Sequence, residues 1–316
     1  MRVNGRRFTV VGAGVSGVAA ANLLASRGGD VRLTDHNAAR PRPEALNEDV
    51  DYHAGSNDVR AGDVAILSPG IPEVSPVREQ VAAQASEVLG EVELFYRLCP
   101  APIIAVTGTD GKSTVTTMIG DICRAAGLTT HVGGNLGIPL TTFIPEIAAD
   151  HVVVAEVSCF QLTTCDSFKP HIAVVTNIAE DHVDYHGSFA KYQEAKRRIA
   201  RFMGPDDHLI INGDDSLING WTWEPVPQVK RFSLAHQDEA AFRKDGRLWL
   251  THPVDSQPFM TCDSLPLLGE HNLSNALAAA LACAAYGIDV TAIRRGLEHY
   301  EALPHRLKRV AQIISM

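Results

Sequence analysis

Residues 103–117 read IIAVTGTDGKSTVTT, an apolar run that ends at glycine and reopens through Gly-Lys-Ser into a helix-forming stretch. The match to the full phosphate-loop signature GxxxxGK[ST] is incomplete, because Val106 takes the place of the first glycine. The part that carries the mechanism is intact. Gly108 and Gly111 let backbone N–H groups turn toward an anion, and a helix starting near Lys112 adds its N-terminal partial charge. Lys112 can reach phosphate oxygens, and the Ser113 hydroxyl can ligate Mg2+. With a strand before it and a helix over about residues 112–126 after it, the segment Gly108, Thr109, Asp110, Gly111, Lys112, Ser113, Thr114 predicts a nucleotide triphosphate site. The bland alternative is a glycine turn with a solvated lysine.

A second unit of strand, glycine loop and helix opens the chain at RFTVVGAGVSGVAAANLLASRGGDVRLTD, residues 7–35, with strands expected at 8–11 and 31–34 around a helix at 16–27. Gly12-Ala13-Gly14-Val15-Ser16-Gly17 fits GxGxxG, and Asp35 follows roughly 20 residues on. The pattern accepts NAD, with Asp35 on a ribose hydroxyl, and equally any other nucleotide diphosphate. Asp35 and His36 end the second strand, and Ser68-Pro69-Gly70 ends a later one, so all border the same crevice. A tight turn that only needs glycine is the alternative. Two nucleotide sites in one chain point to transfer chemistry on a nucleotide-tagged substrate.

The rest of the sequence sets the frame. A length of 316 residues suits two domains with cores of their own. No uninterrupted apolar run approaches the ~18 residues of a membrane span, so no membrane insertion is expected. The basic N-terminus runs into a short, glycine-broken apolar stretch and lacks the form of a signal peptide. A net charge of -9, from 28 basic and 37 acidic residues, argues against a nucleic-acid footprint. Six cysteines without a CxxC pair read as reduced thiols in a cytoplasm.

A strand at residues 63–70 and helices filling 77–98 precede a linker at Pro100 and Pro102. Apolar runs at 103–106, 152–155 and 172–175 then alternate with helices, as in a mostly parallel sheet covered on both faces. Residues 207–262 read as β-rich, with a Lys244-Asp245-Gly246 hairpin turn. Helices return at 271–287, capped by Gly287, and at 290–299. The fold class expected is α/β: a Rossmann-like N-terminal domain over 1–98, a P-loop ATPase-like central domain over 99–302 with a small β-rich extension, and a hinge over 303–316.

Phosphoryl transfer calls for metal ligands near the Lys112 loop. Glu156 ends the apolar strand VVVAE, where ligand crevices of open α/β sheets lie, and a carboxylate suits Mg2+. An exposed strand-end acid is its plainer reading. His182 also follows an apolar strand, but Mg2+ prefers oxygen, so the residues alone favour a hydrogen-bonded structural histidine. Lys196, beside Arg197 and Arg198, reads as part of a solvated basic face. Asn135, in a glycine turn, and Ser158, near Glu156, are candidates for an acceptor pocket. Asn272 and Asn275 share a helix face and suit either a ligand or a helix cap.

Ten segments in order, VVGAGVSG, SPGIP, GEVELFYR, AVTGTDGKSTVTT, VGGNLGIPL, EVSCFQL, NIAEDHVDYHG, YQEAKRRI, GEHNLSNALAA and LPHR, resemble the Mur ligases of peptidoglycan synthesis, and within them the branch that adds D-glutamate. The resemblance implies that ATP phosphorylates the carboxylate of UDP-MurNAc-L-Ala and that the amine of D-glutamate attacks the acyl phosphate. It assigns Gly14, Val15, Ser16, Asp35, His36, Ser68 and Gly70 to the UDP-linked substrate, displacing NAD, and residues 108–114 to ATP. It implies two Mg2+ ions, with His182 and a carbamylated Lys196 at the second. It also puts Asn272 and Asn275 near the adenine and Arg306 on ATP. Small-molecule substrates and a monomer are expected.

Three departures stand out. Asp110 replaces the usual asparagine, placing a negative charge near polyphosphate. Cys159 replaces a common serine and loses a good donor. Family members continue for a further domain after LPHR, whereas this sequence ends at Met316. The expectation is therefore a chain that binds the UDP-linked substrate, and ATP weakly, without completing ligation. Competing readings are a folylpolyglutamate synthetase, which lacks a preceding GAGVSG unit, an NAD-dependent oxidoreductase, and a non-catalytic nucleotide-sugar-binding remnant.

Overall fold

The computed structural model describes residues 1–251 and 255–301; the proposed hinge at 303–316, Arg306 included, lies outside them. The first sheet has five parallel strands, β1 (Arg7–Val11), β2 (Asp30–Asp35), β3 (Asp51–Ala54), β4 (Val64–Leu67) and β5 (Glu87–Gly90), in the order β3-β2-β1-β4-β5. β1 pairs with both β2 and β4, so strand order reverses beside it, and the crevice of such a sheet opens at the carboxyl ends there. Helix α1 (Val15–Ser26) leaves β1 through the glycine loop.

The end of this first sheet differs from the sequence expectation. A helical stretch over 77–98 is in fact α2 (Pro76–Gln84), then β5, then α3 (Glu91–Leu98). Residues 87–90 sit between two helix-favouring stretches, but the free edge of β4 offers a full set of backbone partners and buries Leu89 completely. That tertiary gain outweighs local propensity.

The second sheet has nine strands: β6 (Ile103–Thr107), β7 (Thr130–Gly134), β8 (Val152–Glu156), β9 (Ile172–Val175), β10 (His208–Asn212), β11 (Gln228–Ser233), β12 (Ala241–Lys244), β13 (Arg247–Leu250) and β14 (Gln257–Thr261). Their order is β14-β13-β12-β11-β10-β9-β6-β8-β7. Within the β-rich stretch 207–262, β10 and β11 extend the parallel sheet, and β12–β14 form an antiparallel edge around the expected hairpin turn. The β12–β13 turn has positive φ at Asp245 and Gly246, as a two-residue hairpin requires.

The helices of this part are α4 (Lys112–Ala125), α5 (Cys159–Leu162), α6 (Val183–His186), α7 (Phe189–Arg197), α8 (Ser216–Asn219), α9 (Glu270–Ala285) and α10 (Val290–Glu298). α4, α9 and α10 cover one face of the sheet, where Val115, Met118, Ile119, Leu277, Leu281 and Ile293 are buried against Ile104, Val106 and Val154. The other face buries Ala105, Val153 and Val175 with Phe95, Leu140, Phe168 and Ile199. Coverage on both sides explains why these strands read as unbroken apolar runs.

α3 joins the two sheets through two buried carboxylates. Glu91 accepts hydrogen bonds from the Thr141 N–H (2.7 Å) and hydroxyl (2.8 Å), and burial raises its pKa against those bonds. Glu93 accepts from the N–H groups of Asp166, Ser167 and Phe168 at 3.0–3.1 Å, from the Ser167 hydroxyl, and from Arg97 Nε at 2.7 Å.

Candidate active site at the phosphate loop

β6 lies between β8 and β9, all parallel, so the phosphate loop, Glu156 and the chain leaving β9 meet at one carboxyl edge. The glycines at 108 and 111 have φ of +146° and +77°, and a Cβ on either would run into Thr176 Oγ1 or Asn275 Oδ1 respectively. Segment 176–177 ties the loop down. Thr176 Oγ1 donates to the Asp110 carbonyl at 2.6 Å, Asn177 Nδ2 donates to the same oxygen at 3.1 Å, and Asn177 Oδ1 accepts from Asp110 N at 2.9 Å. The Asp110 main chain is thereby fixed while the residue itself is exposed. α4 begins at Lys112, and a helix start leaves its first N–H groups without intrahelical partners, Ser113 and Thr114 among them. Lys112 Nζ folds back onto the Thr109 carbonyl at 2.6 Å.

Lys196 corrects the sequence reading. It is not on a solvated face but only 2% exposed, with Nζ donating to the Gly108 carbonyl at 2.5 Å and lying 4.7 Å from the centroid of the Tyr192 ring. Burial lowers its pKa to about 8; the Lys112 charge adds to this, and Cys159, Asp181 and Asp110 oppose it. An amine held this low is neutral far more often near neutral pH than an ordinary lysine. Tyr192 shares a 2.9 Å hydrogen bond with Thr109 Oγ1, and burial pushes its pKa up to about 12.

Glu156 is buried, which removes the exposed-acid reading. Asn135 Nδ2 donates to its Oε1 at 2.7 Å, while Oε2 is buried without a hydrogen-bond partner. A buried carboxylate oxygen lacking a donor beside a phosphate loop fits a divalent cation. Ser158 is also buried, but its hydroxyl serves the capping box of α5 with Gln161. Cys159 is buried behind it.

His182 is not buried: its side chain is 46% exposed, φ is +50°, Nε2 lies 3.3 Å from Asp181 Oδ2, and its ring lies 4.8 Å from that of Phe160, centroid to centroid. The chain leaving β9 brings it to the loop's other flank, opposite Glu156. Among the described residues no three His, Cys, Asp or Glu side chains converge as a ready-made cage. Mg2+ sites commonly combine one or two protein ligands with substrate phosphates and water, which suits this arrangement.

Asn272 Nδ2 donates to the Leu268 carbonyl at 2.7 Å and Asn275 Nδ2 to Asn272 Oδ1 at 3.3 Å. The N-cap of α9 is Gly269, with no side-chain cap bond, and both asparagines lie inside the helix, so the capping reading fails. Asn275 instead abuts Gly111, bringing the start of α9 against the loop. Sequence reasoning missed Thr176, Asn177 and Tyr192. The first two were readable as polar residues ending an apolar strand.

At the first sheet, Gly14 caps α1 and, with Val15, opens onto a cavity of about 940 Å³ that Asn22, Arg40, Leu46 and Thr141 also line. Ser16 lies on the first turn of α1. Asp35, His36, Ser68 and Gly70 sit at the neighbouring strand ends but do not line that cavity. Asp35 has a structural task. Burial raises its pKa, but hydrogen bonds from Asn37 N (3.0 Å) and Ala13 N (2.9 Å), with the charges of Arg40 and His36, outweigh that and hold it below the usual value. Its carboxylate therefore fixes the glycine loop to the turn after β2.

Residues 106–283 match the Mur ligase middle domain and residues 6–90 the Mur ligase MurD-like N-terminal domain. Curated proteins named UDP-N-acetylmuramoylalanine--D-glutamate ligase are similar along nearly the whole chain. The one from Koribacter versatilis is 35% identical over 99% of this chain and 71% of its own length, and that from Pelotomaculum thermopropionicum 37% identical over 98% and 70%. Two solved structures share the fold. A UDP-N-acetylmuramate:L-alanyl-gamma-D-glutamyl-meso-diaminopimelate ligase from Neisseria meningitides has TM-score 0.63 at 18% identity, covering 95% of this chain and 99% of that one. A UDP-N-acetylmuramate-alanine ligase from Thermotoga maritima has TM-score 0.55 at 20% identity, covering 92% and 68%. With both sequence families matched in order around the two glycine loops, this chain belongs to the Mur ligase family.

Proposed function

We propose that the chain acts in an ATP-dependent ligase that joins D-glutamate to UDP-N-acetylmuramoyl-L-alanine. The observation that carries this is identity of 35–37% with D-glutamate-adding relatives over 98–99% of the chain. In this reading residues 1–98 hold the UDP end, with its diphosphate at Gly14, Val15 and Ser16, and residues 99–302 hold ATP. The buried Asp35 and the exposed His36, with Ser68 and Gly70, border the uridine. NAD is disfavoured because the relatives on both sides of the match are ligases.

The chemistry asked of the protein is positioning and charge neutralisation. The substrate carboxylate attacks the γ-phosphorus of ATP and releases ADP; the D-glutamate amine then attacks the acyl carbon and expels phosphate. Lys112 and the N–H groups at the start of α4 neutralise phosphate oxygens, and Asn275 steadies Gly111. Ser113 and Glu156 would hold one Mg2+; His182 and a carbamylated Lys196 would hold a second. Bound Mg2+ supplies charge neutralisation at the transferring phosphate. Asn135 keeps Glu156 Oε1 occupied, which directs Oε2 toward the cation.

Two results test these roles. Glu156→Gln is expected to weaken ATP binding roughly 10- to 100-fold in Mg2+ and to leave it unchanged in EDTA; equal losses in both would remove Glu156 from the metal. The neutral Lys196 amine adds CO2, forming an N–C bond and losing one proton. Wild-type protein equilibrated with 13C-bicarbonate should therefore show a carbamate carbon signal that Lys196→Ala lacks. An unlabelled free amine in the wild type contradicts the modification.

A further inference from the structure

We propose that Arg78 and Tyr185 are positioning residues that couple the UDP-substrate loop to the catalytic edge, so that the two nucleotide ligands bind cooperatively. The inference rests on the ligase reading and deepens it. Tyr185 belongs to α6, the short helix that starts immediately after His182. Its hydroxyl lies 3.1 Å from the Pro69 carbonyl and 2.9 Å from the Ile71 carbonyl, both in the segment that follows Ser68 at the end of β4. One proton can serve one of these oxygens at a time. Arg78 of α2 completes the node from the other side: Nε donates to the Ile71 carbonyl at 3.2 Å, and the two hydrogens of Nη2 are shared among the Tyr185 hydroxyl at 3.2 Å, Thr163 Oγ1 at 3.1 Å and the same Ile71 carbonyl at 3.0 Å.

The node joins elements more than 80 residues apart in the chain, and its two ends matter to function. At one end, Ser68 N bonds the Val11 carbonyl just before the glycine loop, so the 68–71 segment is in register with the diphosphate cradle. At the other, the Tyr185 ring packs 4.2 Å from Phe160, centroid to centroid, and Phe160 lies 4.8 Å from the His182 ring. A shift of the 68–71 loop on binding the UDP-linked substrate is therefore passed to the His182 turn through directional bonds. Arginine suits this role because its planar fork donates to several acceptors at fixed angles, which an ammonium cannot do.

Coupling between sites is reciprocal, so it can be read from either ligand. The test is calorimetric affinity for UDP-MurNAc-L-Ala with and without saturating β,γ-imido-ATP and Mg2+, in wild type, Tyr185→Phe, Arg78→Ala and Arg78→Lys. Wild type should bind the substrate roughly 5- to 20-fold more tightly when the ATP analogue is present. Tyr185→Phe keeps the ring and its packing, and should reduce that factor below about twofold. Arg78→Ala should do the same, with Arg78→Lys between it and wild type. Melting temperatures show whether each variant is folded, and Tyr185→Phe decides if Arg78→Ala is not. Wild-type binding of both ligands without coupling, or coupling that survives in Tyr185→Phe, overturns the proposal and leaves the ligase reading standing. Failure of wild type to bind either ligand overturns the ligase reading and the coupling with it.

Discussion

Lys112→Ala is expected to weaken ATP binding about 100-fold while changing affinity for UDP-MurNAc-L-Ala by less than about twofold. The ammonium is the first residue of α4, so it projects from a helix N-terminus across a loop whose two glycines keep the backbone close to the ligand. In the structure its hydrogen bond is to the Thr109 carbonyl, a partner it can exchange for phosphate without unfolding anything. A charge-assisted bond to phosphate is worth about 1.5–3 kcal/mol, which converts to roughly 10- to 150-fold in affinity. The UDP-linked substrate is assigned to the other sheet and should hardly respond. Titration calorimetry of both ligands measures this; equal losses for the two would mean that the loop acts through overall stability.

Glu93→Ala should cost about 3–5 kcal/mol of folding stability, the largest loss expected for a single site away from the nucleotides. The carboxylate is 0% exposed and satisfies three consecutive main-chain N–H groups of 166–168 as well as Arg97. Removing it takes their acceptor from three main-chain N–H groups and the Ser167 hydroxyl, while Arg97 keeps Glu87, and unsatisfied buried groups are what make such deletions expensive. Glu93→Gln keeps the shape and part of the acceptor set and should lose less. Thermal or urea denaturation gives the numbers; a loss under about 1 kcal/mol would show that water replaces the carboxylate freely.

These two residues also mark what sequence could and could not reveal. The Lys112 loop was legible because the motif is local and β6, β8 and β9 are covered on both faces, so each reads as a short apolar run. Glu93 was opaque because, Arg97 apart, its partners lie 73–75 residues away and leave no periodic trace. β3 is a polar, mostly exposed edge strand, and β5 sits in helix-favouring composition, so neither carried a strand signal. Lys196 was misread for a geometric reason. Neighbours in a helix point about 100° apart, so Arg197 and Arg198 say nothing of the face Lys196 occupies, whereas Tyr192, four residues earlier, is on that face and fully buried. Asn272 and Asn275 could be placed on one side of α9 from spacing, but only the structure shows that the helix starts before them, with Gly269 as its N-cap.

Two anion cradles, one on each sheet, are expected to bind different nucleotides at the same time. Sequential calorimetric titration of the chain, first with UDP-MurNAc-L-Ala and then with ATP and Mg2+, tests it most directly, with NAD+ as the control. The expected result is one equivalent of each of the first two, bound together, and no heat from NAD+. Competition between the two for a single site, or saturable binding of NAD+ to the Gly12–Gly17 loop, would contradict it.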